Sequence, residues 1–259
     1  MSLSRMLDLK GQMALVTGGS RGLGLQMAEV LGELGARVAI TARKPDELDE
    51  AARHLQAMGI DALPLVCDMG QLAAIAPMVA QVIDRLGPID ILVNNAGTSW
   101  GQPTIEHTLE GWHKVITLNV TAIFVVTQEV GRRCMVPRRR GKVINIASIQ
   151  GLTGTYPEGM PTLAYNASKG AVVNMTRTLA AEWAPLGINV NAIAPGYFPT
   201  KMTAPIADHI GADKAAAMAP MNRVGGPEDL KGVTALFASE AGAFITGQTL
   251  AVDGGLTAV

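Results

Sequence analysis

A phenol and an ammonium group stand four positions apart in the segment AYNASKG, as Tyr165 and Lys169. On a helix that spacing puts both side chains on one face, a single turn apart. A neighbouring positive charge favours phenolate, so Lys169 is expected to draw the Tyr165 pKa down from its ordinary value of about 10 toward neutrality. A phenol tuned in this way can give or take a proton at neutral pH. A surface pair brought together by chance would show the same spacing, so the reading depends on what else converges. Ser148 closes the run KVINIAS and offers a hydroxyl that can donate to a carbonyl oxygen while accepting from another group. Asn119, in TLNV, could hold a water that links the lysine to solvent; the ordinary alternative is an asparagine bonded to its own helix backbone.

A second set of residues suits phosphate. In TGGSRGLG, residues 17 to 24, Gly18 permits a tight turn, Gly22 lets a diphosphate approach the backbone, and Gly24 brings helix and strand together. Ser20, Arg21 and Leu23 complete that turn, and the helix that starts there attracts an anion to its N-terminus. The second strand ends TARK, where a carboxylate would mark a ribose hydroxyl; Arg43 and Lys44 stand there instead. With Arg21 they form a cationic pocket in which the two planar guanidinium forks suit a 2′-phosphate and Lys44 contributes more loosely. That pattern predicts NADP(H) over NAD(H), the alternative being three exposed charges without a ligand. Asp68, followed by Met69, is placed either to accept from an adenine amino group or to cap the next helix. In NNAG, Asn95, Ala96 and Gly97 leave a strand end open to cofactor, and Asn94 reads as a structural hydrogen-bonder.

Positioning these groups requires a sheet. Seven short apolar runs (13–17, 37–41, 62–68, 91–95, 142–148, 188–195 and 248–252) alternate with segments whose apolar residues recur every three or four positions. The first three helical segments close on Gly35, Gly59 and Gly87. Strand and helix repeating in this way call for right-handed crossovers and a parallel sheet covered on both faces. The expected fold class is therefore α/β, a single-domain Rossmann fold over 1–259 with a doubly wound seven-stranded parallel sheet. The Pro- and Gly-rich stretch 196–226 interrupts the rhythm and reads as a substrate lid within that domain.

Composition narrows the function. The chain has 259 residues, a formal net charge of −1, 48% hydrophobic residues and 29 glycines. Near-neutrality gives no reason to expect a nucleic-acid partner, and Arg138, Arg139 and Arg140 read as a solvated loop before a strand. No signal peptide and no apolar segment of membrane-spanning length is apparent, so a soluble cytoplasmic protein is expected. Cys67 and Cys134 read as buried thiols of a reducing compartment, and His54, His107, His113 and His209 lack metal-ligand spacing, so no metal is expected.

With TGGSRGLG, NNAG, Asn119, Ser148 and YNASK in this order, the chain resembles the short-chain dehydrogenase/reductase family over residues 10 to 255. The resemblance implies that Asn119, Ser148, Tyr165 and Lys169 form a catalytic set, with Tyr165 and Lys169 also touching the cofactor. It implies that Pro195, Gly196 and Thr200 of PGYFPT hold the nicotinamide amide, and that QTLAVDGG is the last strand and a homotetramer contact. The implied reaction moves a hydride between nicotinamide and a carbonyl or carbinol carbon. Ser148 polarises the carbonyl, Tyr165 supplies the proton, and Lys169 tunes the phenol and binds the ribose. The chain is similar both to gluconate 5-dehydrogenase-like members and to 3-oxoacyl-carrier-protein reductases. For the latter, Arg132, Arg133 and Arg138 to Arg140 would furnish a basic surface near the pocket. The interval between Ser148 and Tyr165 is longer than in the plainest members, and its extra residues should stand over a small-molecule substrate. Trp100, Gln150, Tyr156, Met160, Tyr197, Phe198 and Met202 are the candidate wall residues. The Tyr-to-Lys step favours carbonyl chemistry over reduction of carbon–carbon double bonds, and a non-catalytic NADP(H)-sensing protein on the same sheet is the alternative of another class.

Overall fold

A computed structural model describes residues 1–155, 159–204 and 211–259, apart from the Ala212 side chain. Seven strands form one sheet in the order β3-β2-β1-β4-β5-β6-β7. They are β1 Met13–Thr17, β2 Arg37–Ala42, β3 Ala62–Val66, β4 Ile91–Asn94, β5 Gly141–Ile146, β6 Ile188–Pro195 and β7 Thr249–Val252. Every pairing is parallel. The fold is the expected single-domain, doubly wound Rossmann arrangement.

Alternation within the strands explains the two covered faces. Ala14 and Val16 of β1 point into one apolar cluster with Met27 and Leu31 of α1 (Gly22–Glu33) and Leu48 and Leu55 of α2 (Pro45–Ala57). Met13 and Leu15 point into the other, with Val79 and Val82 of α3 (Ile75–Leu86). All five β1 residues are buried, which is why a strand in this position reads as an unbroken apolar run rather than an alternating one. Gly35, Gly59 and Gly87 all take positive φ, at 97°, 77° and 87°, where a side chain would be strained.

Strand order reverses between β1 and β4, which opens a crevice at the carboxyl ends of the strands, the place where ligands bind in such sheets. Behind it, a buried polar chain ties the layers together. Asn94 donates to Thr127 of α5 (Ala122–Val130) at 3.0 Å and to Asn145 of β5 at 2.8 Å. Asn145 donates in turn to Thr176 at 2.9 Å, on α6 (Leu163–Trp183). Asn94 is thus the structural hydrogen-bonder that its sequence position suggested.

Of the strand boundaries that differ from expectation, two bear on the site. β5 ends at Ile146, not at Ser148: Ala147 still donates to Ile193, but the backbone at Ser148 then turns into a helical turn, Ile149–Gly151. β3 ends at Val66, so Asp68 lies beyond the strand. The arginine run is also more than a solvated loop. Arg138 and Arg140 both reach Asp90 Oδ1 at 2.9 Å, and that carboxylate is 5% exposed.

Candidate active site

The crevice is a cleft of about 480 Å³. Ser148, Tyr165 and Lys169 line it together, and so do all the cofactor candidates: Gly18, Ser20, Arg21, Gly22, Leu23, Gly24, Arg43, Lys44, Asp68, Met69, Asn95, Ala96, Gly97, Pro195, Gly196 and Thr200. A larger cavity, about 710 Å³, opens at the amino ends of the strands beside Asp90, Arg140, Lys142 and Asn189. It contains none of the groups with acid–base chemistry at the carboxyl ends, so the smaller cleft is the candidate site.

Helix α6 brings the phenol and the ammonium together. Lys169 is 4% exposed, its Nζ donates to the Ile146 carbonyl at 2.7 Å, and it sits 5.6 Å from the centre of the Tyr165 ring. Burial lowers the Lys169 pKa from 10.5 to about 8. The Tyr165 phenol moves opposite to the expected direction: burial pushes it up, and a hydrogen bond with Ser148 pulls against that. The physical reason is that the ammonium is itself buried and turned toward a main-chain carbonyl, so desolvation outweighs the charge pair at the phenol. Ser148, 7% exposed, accepts from the Gln150 amide at 3.2 Å, which fixes its hydroxyl at the mouth of the turn.

Asn119 supports this group from behind. It lies in a π-helical stretch, Thr117–Thr121, an irregularity that swings one side chain out of the regular helical path. Its Oδ1 accepts from the Thr98 amide at 2.8 Å, and its Nδ2 donates to the Thr98 carbonyl at 2.9 Å and to Ser168 Oγ at 3.0 Å. The ordinary alternative, an amide bonded to its own helix backbone, does not describe this side chain, since both amide protons are committed to the β4 exit and α6. Ser168, fully buried, was missed; its signal was a small polar residue one place before the lysine. Gly97 lies between these groups, and a Cβ there would stand 3.3 Å from Asn119 Oδ1 and 3.8 Å from Lys169 Nζ.

At the other end the glycine turn is braced by Asn95, whose Nδ2 donates to the Thr17 and Gly18 carbonyls at 3.0 Å each. A Cβ on Gly24 would meet the Gly18 carbonyl oxygen at 2.2 Å. Helix and strand therefore need a bare Cα there. A Cβ on Gly22 would meet only Thr200, at 3.4 Å, so the turn is open on its cleft side. Asp68 Oδ1 accepts from the Gly70 amide at 3.0 Å, a local turn and not a helix cap, since the next helical turn begins at Leu72 without a side-chain cap, and the Asp68 side chain borders the cleft.

The cation pocket holds Arg21, Arg43 and Lys44 as expected, together with a carboxylate the sequence reading did not assign. Glu47 pairs with Arg21 at 2.7 Å, with Lys44 at 3.4 Å and with Lys201 at 3.2 Å. Arg43 makes no ion pair among the described residues. The pocket's cations, the open glycine turn and the free Asp68 Oδ2 together fit an adenosine phosphate.

The candidate wall residues divide between the cleft and its surroundings. Phe198 and Met202 border the cleft, but Phe198 is buried in the core against Gly225. Trp100 lies against Gly111 of α4 (Leu109–Ile116), beneath the Lys114 ammonium at 4.8 Å from its ring centre. Met160 packs at Gly101, Tyr197 donates to Thr203 at 3.4 Å, and neither they nor Gln150 border the cleft. Tyr156 lies outside the described residues. The basic surface also falls away from the site: Arg132 and Arg133 are paired with Glu129, and Arg138 and Arg140 sit at the amino ends of the strands.

Among the described residues no helix is long and apolar enough to cross a membrane, and no cluster of side chains could hold a metal ion. Cys67 and Cys134 are free and buried, with burial raising both thiols.

Known proteins share this chain from end to end. A gluconate 5-dehydrogenase of Gluconobacter oxydans is 40% identical over 99% of both chains. A rhamnolipids biosynthesis 3-oxoacyl-[acyl-carrier-protein] reductase of Pseudomonas aeruginosa is 42% identical, covering 96% of this chain and 97% of that protein. A crystal structure of a gluconate 5-dehydrogenase from Burkholderia cenocepacia in complex with NADP and tartrate superposes with a TM-score of 0.92 at 36% identity, over the whole of both chains. The family model described as enoyl-(acyl carrier protein) reductase matches residues 18–257, and with these likenesses the chain belongs to the short-chain dehydrogenase/reductase family of oxidoreductases.

Proposed function

We propose that this protein interconverts a ketone and a secondary alcohol with NADP(H), using Tyr165 as general acid and base. The observation that carries the reading is the convergence of Ser148, Tyr165 and Lys169 at one end of a cleft whose other end gathers Arg21 and Arg43. NADPH, when bound, supplies the hydride. The chain's residues supply the proton and the geometry. A raised phenol pKa keeps Tyr165 protonated at neutral pH, the state needed to donate to a carbonyl oxygen during reduction. Ser148, in contact with that phenol, orients and polarises the same oxygen. Lys169 holds its proton below about pH 8 and adds positive charge beside the site as oxyanion character develops. Asn119 holds the β4 exit against α6 and so fixes the distance between phenol and cofactor groove. Thr200 and Lys201 bring the start of the segment 196–226 to the cofactor groove, which supports a lid role for it, although 205–210 lie outside the described residues.

Tyr165→Phe tests the reading: the variant should bind NADPH as the wild type does and reduce ketones at least ~10²-fold more slowly. Near-normal turnover in a panel of sugar acids and 3-oxoacyl thioesters would overturn it. The cofactor assignment predicts tighter wild-type binding of NADPH than NADH, lost in Arg43→Ala. Leu250 on β7 is 44% exposed and Phe124 on α5 is 50% exposed, apolar surfaces suited to a homotetramer, which light scattering on the purified protein would measure.

A further inference from the structure

One carboxylate gathers cations from three separate stretches of chain at the ribose end of the cleft. Glu47 sits in the first turn of α2 and meets Arg21 Nη1 with both oxygens, at 2.8 and 2.7 Å. Lys201, 154 residues further on in the segment after β6, reaches the same carboxylate at 3.2 Å. The Glu47 side chain is 23% exposed, against 48% for Arg21 and 69% for Lys201, so the anion lies inside and the cations close over it. Burial works against the charged form, but Lys201 and Arg21 outweigh it and hold the carboxyl below its usual range.

We propose that Glu47 sets cofactor preference in this subsite: it is an internal stand-in for the 2′-phosphate, which NADP(H) must displace from Arg21 and Lys201. The proposal rests on the NADP(H) reading above and adds a residue acting against it. A ribose 2′-hydroxyl needs an acceptor, which Glu47 provides without giving up its cations. A 2′-phosphate needs the cations themselves, and Glu47 then remains as a like charge beside it. A phosphate of charge about −2 at roughly 6 Å from a carboxylate in water-like dielectric is repelled by about 1.4 kcal/mol, a tenfold change in Kd. Lys201 adds a fourth cation to Arg21, Arg43 and Lys44, and because it belongs to the segment after β6, occupation of the subsite is coupled to where that segment rests.

The test is the dissociation constant of NADPH and of NADH, each measured by fluorescence titration of the full-length protein without substrate, for wild type, Glu47→Gln and Lys201→Gln. Glu47→Gln is expected to tighten NADPH about tenfold and not to tighten NADH. Lys201→Gln, a change at an exposed side chain, is expected to weaken NADPH several-fold and leave NADH unaltered. If Glu47→Gln leaves NADPH binding unchanged or weaker, or tightens both cofactors equally, Glu47 is only a first-turn acid stabilising α2 and the proposal fails. If Glu47→Gln does not fold, an unchanged NADPH Kd in Lys201→Gln overturns the proposal by itself. Failure of the NADP(H) reading looks different: wild type would bind NADH more tightly, and Arg43→Ala would change neither constant.

Discussion

Replacing Lys169 by methionine should abolish reduction and stabilise the fold. The lysine is 4% exposed and its pKa falls from 10.5 to about 8 because burial penalises the ammonium. At about 1.4 kcal/mol per pH unit, keeping that charge inside the folded protein at pH 7 costs about 3 kcal/mol. Methionine removes the charge but leaves the Ile146 carbonyl without its 2.7 Å partner, a loss of about 1–2 kcal/mol. The net gain is then about 1–2 kcal/mol, which for a chain of this size raises Tm by roughly 2–8 °C. The pH dependence identifies the cause. Between about pH 8 and 10.5 the unfolded lysine keeps a proton that the folded one has released, so wild-type stability rises with pH across that window. The advantage of the variant should therefore be full at pH 7 and nearly gone by about pH 9.5. Circular-dichroism melts of both proteins at equal concentration, without cofactor, read this directly. A variant melting at or below the wild type at pH 7, with a gap indifferent to pH, would refute the burial argument.

Three further perturbations probe the frame around the site. Gly24→Ala places a Cβ 2.2 Å from the Gly18 carbonyl oxygen and 2.5 Å from Asn95 Nδ2, neither free to move; urea denaturation should show a loss of about 3 kcal/mol, and NADPH binding should weaken sharply. Asn119→Ala leaves the Thr98 amide and carbonyl without their partner, destabilising by about 2–4 kcal/mol in the same assay and lowering kcat more than it raises KM. Arg223 and the Gly226 amide hold the Asp229 carboxyl down to about 2 from 3.8. That stabilisation is present above about pH 4 and lost as pH falls through about 2, so Asp229→Asn should be slightly less stable than wild type at pH 7 and equal to it in strong acid. Acid titrations of both proteins would show the gap closing.

The sheet was legible because parallel strands are buried on both faces. β1 and β6 match their apolar runs residue for residue, since each run is bounded by glycine or proline. The phosphate turn and the Tyr–Lys step were legible because both depend on spacing within a single turn of backbone or helix. What escaped depends on long-range packing. Aromatic residues near a strand end read as substrate walls, yet Trp100 is drawn against α4 by a glycine that leaves room for its ring, and Phe198 fills the gap left at Gly225. Glu47 lies three residues from Lys44, a pairing readable locally, but its link to Lys201 spans the sheet. The direction of the Tyr165 shift escaped for another reason: spacing reveals that an ammonium is near, while only the fold reveals how much water both groups have lost.

The two ends of the cleft treat charge in opposite ways, and this follows from where each sits. At the chemical end Lys169 is enclosed by α6 and the β5 exit with a neutral carbonyl as its partner, so its charge is held at an energetic disadvantage. At the ribose end the cations project from exposed turns, where each surface pair contributes only about 0–1 kcal/mol, and a carboxylate already neutralises part of their field. On the proposed reading, an ammonium held in this way would act on a developing oxyanion, since among the described residues no carboxylate pairs with it. Exposed cations held by a displaceable carboxylate can instead exchange partners as cofactor enters and leaves. If the proposed reaction holds, enclosure suits the end that would polarise a bond, and exposure suits the end that would release what it binds.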